Sequence, residues 1–387
     1  MRRFGRSLFL GIVFLAAAPL ALAQIDPESR RLVEFGFNQS FQGAAPLAGY
    51  GFYYFNEPHF PMTNTTLRLA VAPVYLDSEL GLLGALGAHT DLGIGLAGGG
   101  FADSYYQFYQ GKYRPDASFM GYGAEVSSSL YHQFMPDARI PLAGIVRLRL
   151  HDSLYDTYDT TSHAFVLPRS GPTLALRTGL RWGGREPLLS PDLAMEVSAW
   201  CESQYRANAG SYGFDGDRAI EEYAELFWSR ALLIYTLPES KKSFGLTFNS
   251  GASLHPDRFG AYRFGGTLPL SAEFPLMIPG YFYQELSARS FVSMDGQYSV
   301  PLDPGKHWRL TAFGAVADLQ YTPGLAQPGG FNSGIGAGAG YRSSSGKWQI
   351  LGAYGYGFEA IRSSGRGGQT VGILGQIDFK PHKAPAP

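Results

Sequence analysis

The chain has 387 residues, a formal net charge of −1 at pH 7, 16% charged and 14% aromatic residues, and a single cysteine. The near-neutral balance excludes an electrostatic nucleic-acid binder, and one thiol excludes a disulfide-stapled fold. Charged residues fall well below the usual quarter, while 24 Tyr, 27 Phe and 50 Gly make up the difference.

The first residues read as an export signal. Arg2, Arg3 and Arg6 form a basic start, residues 7–22 an apolar run interrupted by Pro19, and Ala21-Leu22-Ala23 a small-x-small cleavage site. Residues 1–23 are therefore expected to be a cleaved signal peptide. No later stretch approaches the roughly 20 apolar residues of a membrane-spanning helix. An exported chain rich in Tyr, Phe and Gly, without apolar helices, points to an all-β fold. The expectation is a transmembrane antiparallel β-barrel in the outer membrane of a Gram-negative-type cell, with lipid as its surroundings.

At about 20–24 residues per strand and connection, the remaining chain makes about 16 strands and leaves no room for a sizeable periplasmic domain. Residues 24–45 are expected to be a short pre-barrel segment, either a short helix or extended peptide entering the lumen or a disordered leader. The barrel is expected over residues 46–379, its first strand over residues 46–55, and a flexible tail over residues 380–387. Pro- and Gly-marked turns at residues 135–138, 167–170, 255–257, 303–306 and 343–346 are assigned to the periplasmic end. Longer connections at residues 102–118, 183–191, 268–288, 321–332 and 363–368 are assigned to the outer end. Residues 208–220 fit this alternation poorly, being long for a periplasmic turn.

Between these turns, two faces alternate. Leu142, Gly144, Val146 and Leu148 interleave with Arg147 and Arg149. Leu174, Leu176, Leu180 and Trp182 interleave with Ala175, Arg177, Gly179 and Arg181. Val292, Met294, Tyr298 and Val300 interleave with Ser293, Asp295, Gln297 and Ser299. A charge facing lipid near the midplane costs about 2–4 kcal/mol. Arg147, Arg149, Arg177, Arg181, Asp295 and Gln297 are therefore placed in a wet lumen, which a sandwich core does not offer. On the last strand Val371, Ile373, Ile377 and Phe379 share one face, opposite Thr370, Gln376 and Asp378. That strand and the first form the seam of the barrel. Cys201, in step with Val197 and Ala199, is read as a small lipid-facing residue.

Chemical motifs are sparse. Gly334, Gly336, Gly338 and Gly340 alternate on one strand without a following helix, so they are no nucleotide loop. They are read as a bare inner face that lets a loop approach closely. No nucleophile elbow or histidine spacing for a metal is present. Phe214-Asp215-Gly216-Asp217 reads as a solvated acidic turn rather than a calcium loop. No enzyme activity, cofactor or metal is expected.

One constellation is specific. Tyr262-Arg263-Phe264-Gly265-Gly266 leads into a long loop carrying Ile278-Pro279-Gly280-Tyr281, and the following strand ends in Tyr298 with Pro301-Leu302. This order resembles the barrel of the bacterial surface antigen superfamily, which holds the BamA-type assembly factors and the two-partner-secretion transporters. The resemblance is specific over residues 258–379 and architectural before that. It implies that Phe264, Gly265, Gly266, Ile278, Gly280 and Tyr281 belong to a loop, residues 268–288, folded back into the lumen. Pro279 stands where the family carries an arginine, and the acidic partner expected near Phe313 is also missing. Something other than that ion pair must then hold the loop, with aromatic packing by Phe274, Tyr281, Phe282 and Tyr283 as the candidate. The implied role is outer-membrane protein assembly or polypeptide translocation, with a client polypeptide and a separate periplasmic partner. A passive or gated small-solute pore, or a plugged barrel displaying surface loops, are the alternatives.

Overall fold

The structure is a computed structural model. It describes residues 25–380 except 27, 137, 139, 185–188, 190 and 271–273, together with the backbone of Ile12–Phe14, which pairs in parallel with Leu47–Gly49. The leader reading of residues 1–23 otherwise lies outside the described residues, as does the tail from residue 381.

Sixteen strands, each antiparallel to its neighbours, close on themselves. In chain order they are β1 (Arg30–Ser40), β2 (Leu47–Pro58), β3 (Thr65–Ala72), β4 (Tyr75–Leu82), β5 (Thr90–Gly99), β6 (Phe119–Gln133), β7 (Leu142–Thr157) and β8 (Gly171–Gly184). The second half comprises β9 (Leu193–Arg206), β10 (Tyr223–Thr236), β11 (Ser243–Leu254), β12 (Leu286–Pro301), β13 (Trp308–Tyr321), β14 (Phe331–Arg342), β15 (Trp348–Arg362) and β16 (Gly365–Asp378). Closure pairs β1 with β16 from Leu32 opposite Asp378 to Ser40 opposite Thr370, nine residue pairs.

Period-two alternation gives the two surfaces. Val146, Leu148, Leu176, Leu180, Val292 and Met294 stand outward and exposed, while Arg147 and Arg181 are buried inside. Aromatics collect where the short turns lie: Trp308, Tyr341 and Trp348 pack with ring centroids 4.9 and 5.0 Å apart, and Tyr235 meets Phe244 at 5.7 Å. Such a girdle marks a membrane interface. Cys201 is half-buried on the outward face in step with Val197.

Two expectations are corrected. The barrel begins at Arg30, inside the segment expected to precede it. Val33, Phe35 and Phe37 face outward while Glu34, Gly36 and Asn38 face the lumen, an alternation that pairs on both edges. Among the described residues just ahead of the wall, Ile25 packs near Trp200 and Tyr131 inside the lumen, and Asp26 pairs with Arg30 at 2.7 Å.

The ends of three connections are also corrected. Leu142–Thr157 is one 16-residue strand, so residues 158–170 leave it at the outer end, and Gly184 and Leu193, the ends of the next two strands, lie at the periplasmic one. Residues 255–285 form a single outer connection rather than a periplasmic turn followed by an outer loop. Residues 207–222, which fitted poorly, are an outer loop. Outer connections meet one another: Asn208 donates to the Arg169 carbonyl at 3.1 Å, and Ser162 N–H donates to the Asp116 carbonyl at 3.0 Å. At the other end Arg309 donates to the Lys241 carbonyl and Lys306 to that of Glu239, both at 2.6 Å.

Candidate functional site

The connection between β11 and β12 does not stay outside. A three-residue strand, Tyr262–Phe264, pairs with the start of β12, and the chain then turns inward through Gly265 and Gly266. Both glycines have positive φ (133° and 97°). A Cβ on Gly265 would lie 2.0 Å from the Phe282 carbonyl oxygen, so no other residue fits this turn. The loop bridges back on itself at Gly266 and Ile278. Phe264, Ile278 and Tyr281 are fully buried, with Leu268, Leu270, Leu276 and Phe282 nearly so.

What the loop lies against is the seam. Asn38, on β1, treats the loop backbone as a neighbouring strand would. Its Nδ2 donates to the Leu268 carbonyl at 2.8 Å, and its Oδ1 accepts from the N–H groups of Thr267 and Leu268, both at 3.1 Å. Thr370, on β16, accepts from the Gly280 N–H at 3.1 Å and bonds the Thr267 hydroxyl. Side chains on both sides of the first–last junction thus hold one loop, and satisfy backbone groups that would be costly to bury unpaired.

The tip sits on a floor without side chains. A Cβ on Gly334 would come within 2.2 Å of the Pro279 oxygen, and one on Gly357 within 2.7 Å of the Tyr281 ring. Gly280 lies so close to β15 that its own Cβ would meet the Gly357 nitrogen at 1.9 Å. Of the alternating glycines on β14, only Gly334 serves this purpose, for Gly336 faces the Phe313 ring and Gly338 faces Ala353. The rest of the floor is Gly355 and Gly357 on β15 with Gly368 on β16.

An ion pair also fastens the loop, and sequence reasoning missed it. Arg362, at the end of β15, donates to Glu285 at 2.8 and 3.0 Å and to the Gly280 carbonyl at 3.2 Å. Its guanidinium lies over the Phe282 ring, 3.9 Å from the centroid. Both side chains are essentially inaccessible, at 1% and 0% exposure. Burial pushes the Glu285 carboxyl above the usual carboxylate range, and Arg362 only partly offsets it. Taking both charges out of water offsets much of their attraction, so such a pair fixes the register of the loop more than it adds stability. The charge relation implied by the resemblance is reversed: the cation stands on the wall and the carboxylate on the loop, with Pro279 neutral at the tip. Aromatic packing is real but divided. Tyr281 donates to Asn332 at 3.1 Å, Phe282 stacks on Phe108 at 5.5 Å, and Phe274 instead leans on Trp228 and Phe291.

The remaining site residues fall into separate places. Val371, Ile373, Ile377 and Phe379 lie on the outer face of β16, where they are neighbours of lipid and not of the loop. The outward Phe35 ring covers Gly375 beside them, a Cβ there standing 2.2 Å from the ring. Arg147, Arg149 and Arg177 gather around Glu125 and Glu202, whereas Arg181, Asp295 and Gln297 sit nearer the periplasmic end. Among the described residues no cluster of His, Cys, Asp and Glu is arranged to hold a metal ion.

A closed antiparallel barrel with an apolar exterior, an aromatic girdle and a loop folded inward defines an outer-membrane β-barrel protein. Its fold is that of the BamA and CdiB barrels. CdiB from Acinetobacter baumannii superposes with a TM-score of 0.60 at 10% identity, over 92% of this chain and 61% of that one. CdiB from Escherichia coli gives 0.57 at 13%, over 92% and 64%. BamA from Haemophilus ducreyi lacking POTRA domains 1–3 gives 0.56 at 9%, over 91% and 71%. The chain thus spans less than two thirds of the length of either CdiB. No family model and no curated protein matches the sequence.

Proposed function

We propose that this protein is a loop-gated polypeptide transporter or insertase of the outer membrane, held closed in the state described. One observation carries the reading. The inward loop is docked on the first–last seam by Asn38 from one side and Thr370 from the other, so leaving the lumen and freeing the seam are one event. A barrel built only to display loops has no need of a plug tied to its junction. Delivery of a client polypeptide falls, in this reading, to a periplasmic partner.

The test is depletion in the native host followed by quantification of outer-membrane, surface and secreted proteins. The expected result is loss of at least one polypeptide, restored by the wild-type gene. The reading fails if every such protein keeps its level. A second variant, Gly36→Cys with Leu374→Cys, addresses the seam, since these residues are partners across it. If the seam opens, oxidation of that pair blocks rescue and reduction restores it.

A gated small-solute pore is the second reading, favoured by the cluster of lumen arginines. It predicts conductance in planar bilayers once residues 268–288 are deleted, and none from the intact chain.

A further inference from the structure

Between the plug loop and the wall strands β6 to β9 lies a cavity of about 460 Å³. Four arginines reach it from the wall, Arg147, Arg149, Arg177 and Arg206, and two from the loop, Arg258 and Arg263. Four carboxylates stand around this group, three of them paired with its arginines. Glu125 takes Arg147 and Arg149 at 3.2 and 3.5 Å, and Glu202 takes Arg149 and Arg177 at 2.7 Å each. Asp257 takes Arg206, while Asp103 is occupied by His151 at 2.8 Å and Ser153 at 2.7 Å.

Six guanidinium groups against four carboxylates leave a surplus of two positive charges, before any proton on His151. The surplus is located. Arg258 bonds the Gln107 side chain, and Arg263 donates to the carbonyls of Tyr106 at 2.9 Å and Gln284 at 3.0 Å. Neither meets a carboxylate among the described residues. In addition, the Nε atoms of Arg147 and Arg149 are buried without an acceptor. Uncompensated charge and unpaired donors in one cavity are both unfavourable, and a single multiply charged anion removes both.

We propose that this cavity binds a small soluble polyanion, bearing two or more phosphate or carboxylate groups, between wall and loop. Its fork-shaped donors suit planar carboxylate and tetrahedral phosphate oxygens. The lining side chains face the lumen and not lipid, so the ligand comes from solution. Because Arg258 and Arg263 stand on the outer connection just before the chain turns inward, and the others on β7 to β9, a bound anion bridges that connection to the wall. The proposal stands whichever cargo crosses the barrel.

The full-length protein in detergent micelles is titrated with sodium pyrophosphate, and separately with citrate, at ionic strength held constant with sodium chloride. Calorimetry should show saturable binding, and the unfolding temperature should rise with ligand concentration. Arg258→Gln with Arg263→Gln should weaken binding at least about tenfold, as loss of charge-assisted hydrogen bonds does. Arg147→Gln, on the wall and outside the loop, should weaken it too, so the result does not depend on the loop variants folding. Arg309→Gln, at the periplasmic end, should leave it unchanged. Absence of saturable binding to both anions overturns the proposal, as does equal loss in the Arg309 variant or unchanged affinity in the cavity variants.

Discussion

Removing Arg362 is the sharpest test of how the loop is held. The Glu285 carboxylate would then be left at 0% exposure, with only the Phe282 N–H donating to it at 2.8 Å. Stranding one member of a buried pair costs about 3–5 kcal/mol. At about 1.4 kcal/mol per tenfold, that is roughly two to three and a half orders of magnitude in the docked-to-undocked ratio. Two further losses act in the same direction, the bond to the Gly280 carbonyl and the contact with the Phe282 ring. The penalty falls on the docked state and not on the wall strands, so Arg362→Ala should release the loop before it unfolds the barrel. Protease sensitivity near residues 268–285, together with bilayer conductance, reads this out. Glu285→Leu combined with Arg362→Leu removes both charges and should restore protection to near the wild-type level, since a buried pair is replaceable by apolar residues. The reasoning is refuted if Arg362→Ala leaves the loop protected and the bilayer silent, or if the double variant is as loose as the sum of the two single ones.

Other outcomes follow from the same geometry. Gly357→Ala should undock the loop, because the added methyl meets the Tyr281 ring at 2.7 Å; Gly352→Ala, with nothing within 4 Å, should be neutral in the same protease assay. Asn38→Ala strands three loop backbone groups and should raise loop exchange by about 1–3 kcal/mol per unsatisfied group, measured by hydrogen exchange. Leu148→Arg places a charge on the lipid face and should cost about 2–4 kcal/mol in folding into bilayers, whereas Ser127→Arg on the lumen face should avoid that lipid penalty.

The barrel itself was legible because its signal is local. A strand that separates lipid from water must alternate at every second residue, so Leu142–Thr157 or Trp348–Arg362 can be read alone. Gly265, Gly280 and the bare inner face of the closing strands are local in the same sense, since an absent side chain is visible wherever it occurs. β1 was missed because Leu32 and Val33 stand side by side at its start, which hides the alternation of Val33, Phe35 and Phe37 with Glu34, Gly36 and Asn38. The ends of the connections went wrong for a related reason. Loop length is a weak sign of side, while parity counted from the true first strand is a strict one.

What the chain alone determined is thus the barrel class, the strand period, the inward loop and the lack of an arginine at its tip. The tertiary structure decided what replaces that arginine. Glu285 and Arg362 are 77 positions apart, and Asn38 and Leu268 are 230 apart. No periodicity relates residues so distant; only closure of the sheet brings β15, β16 and β1 together beneath the loop. The surplus charge of the cavity was hidden likewise. Each arginine is visible in the sequence, but its carboxylate, or the lack of one, belongs to another strand.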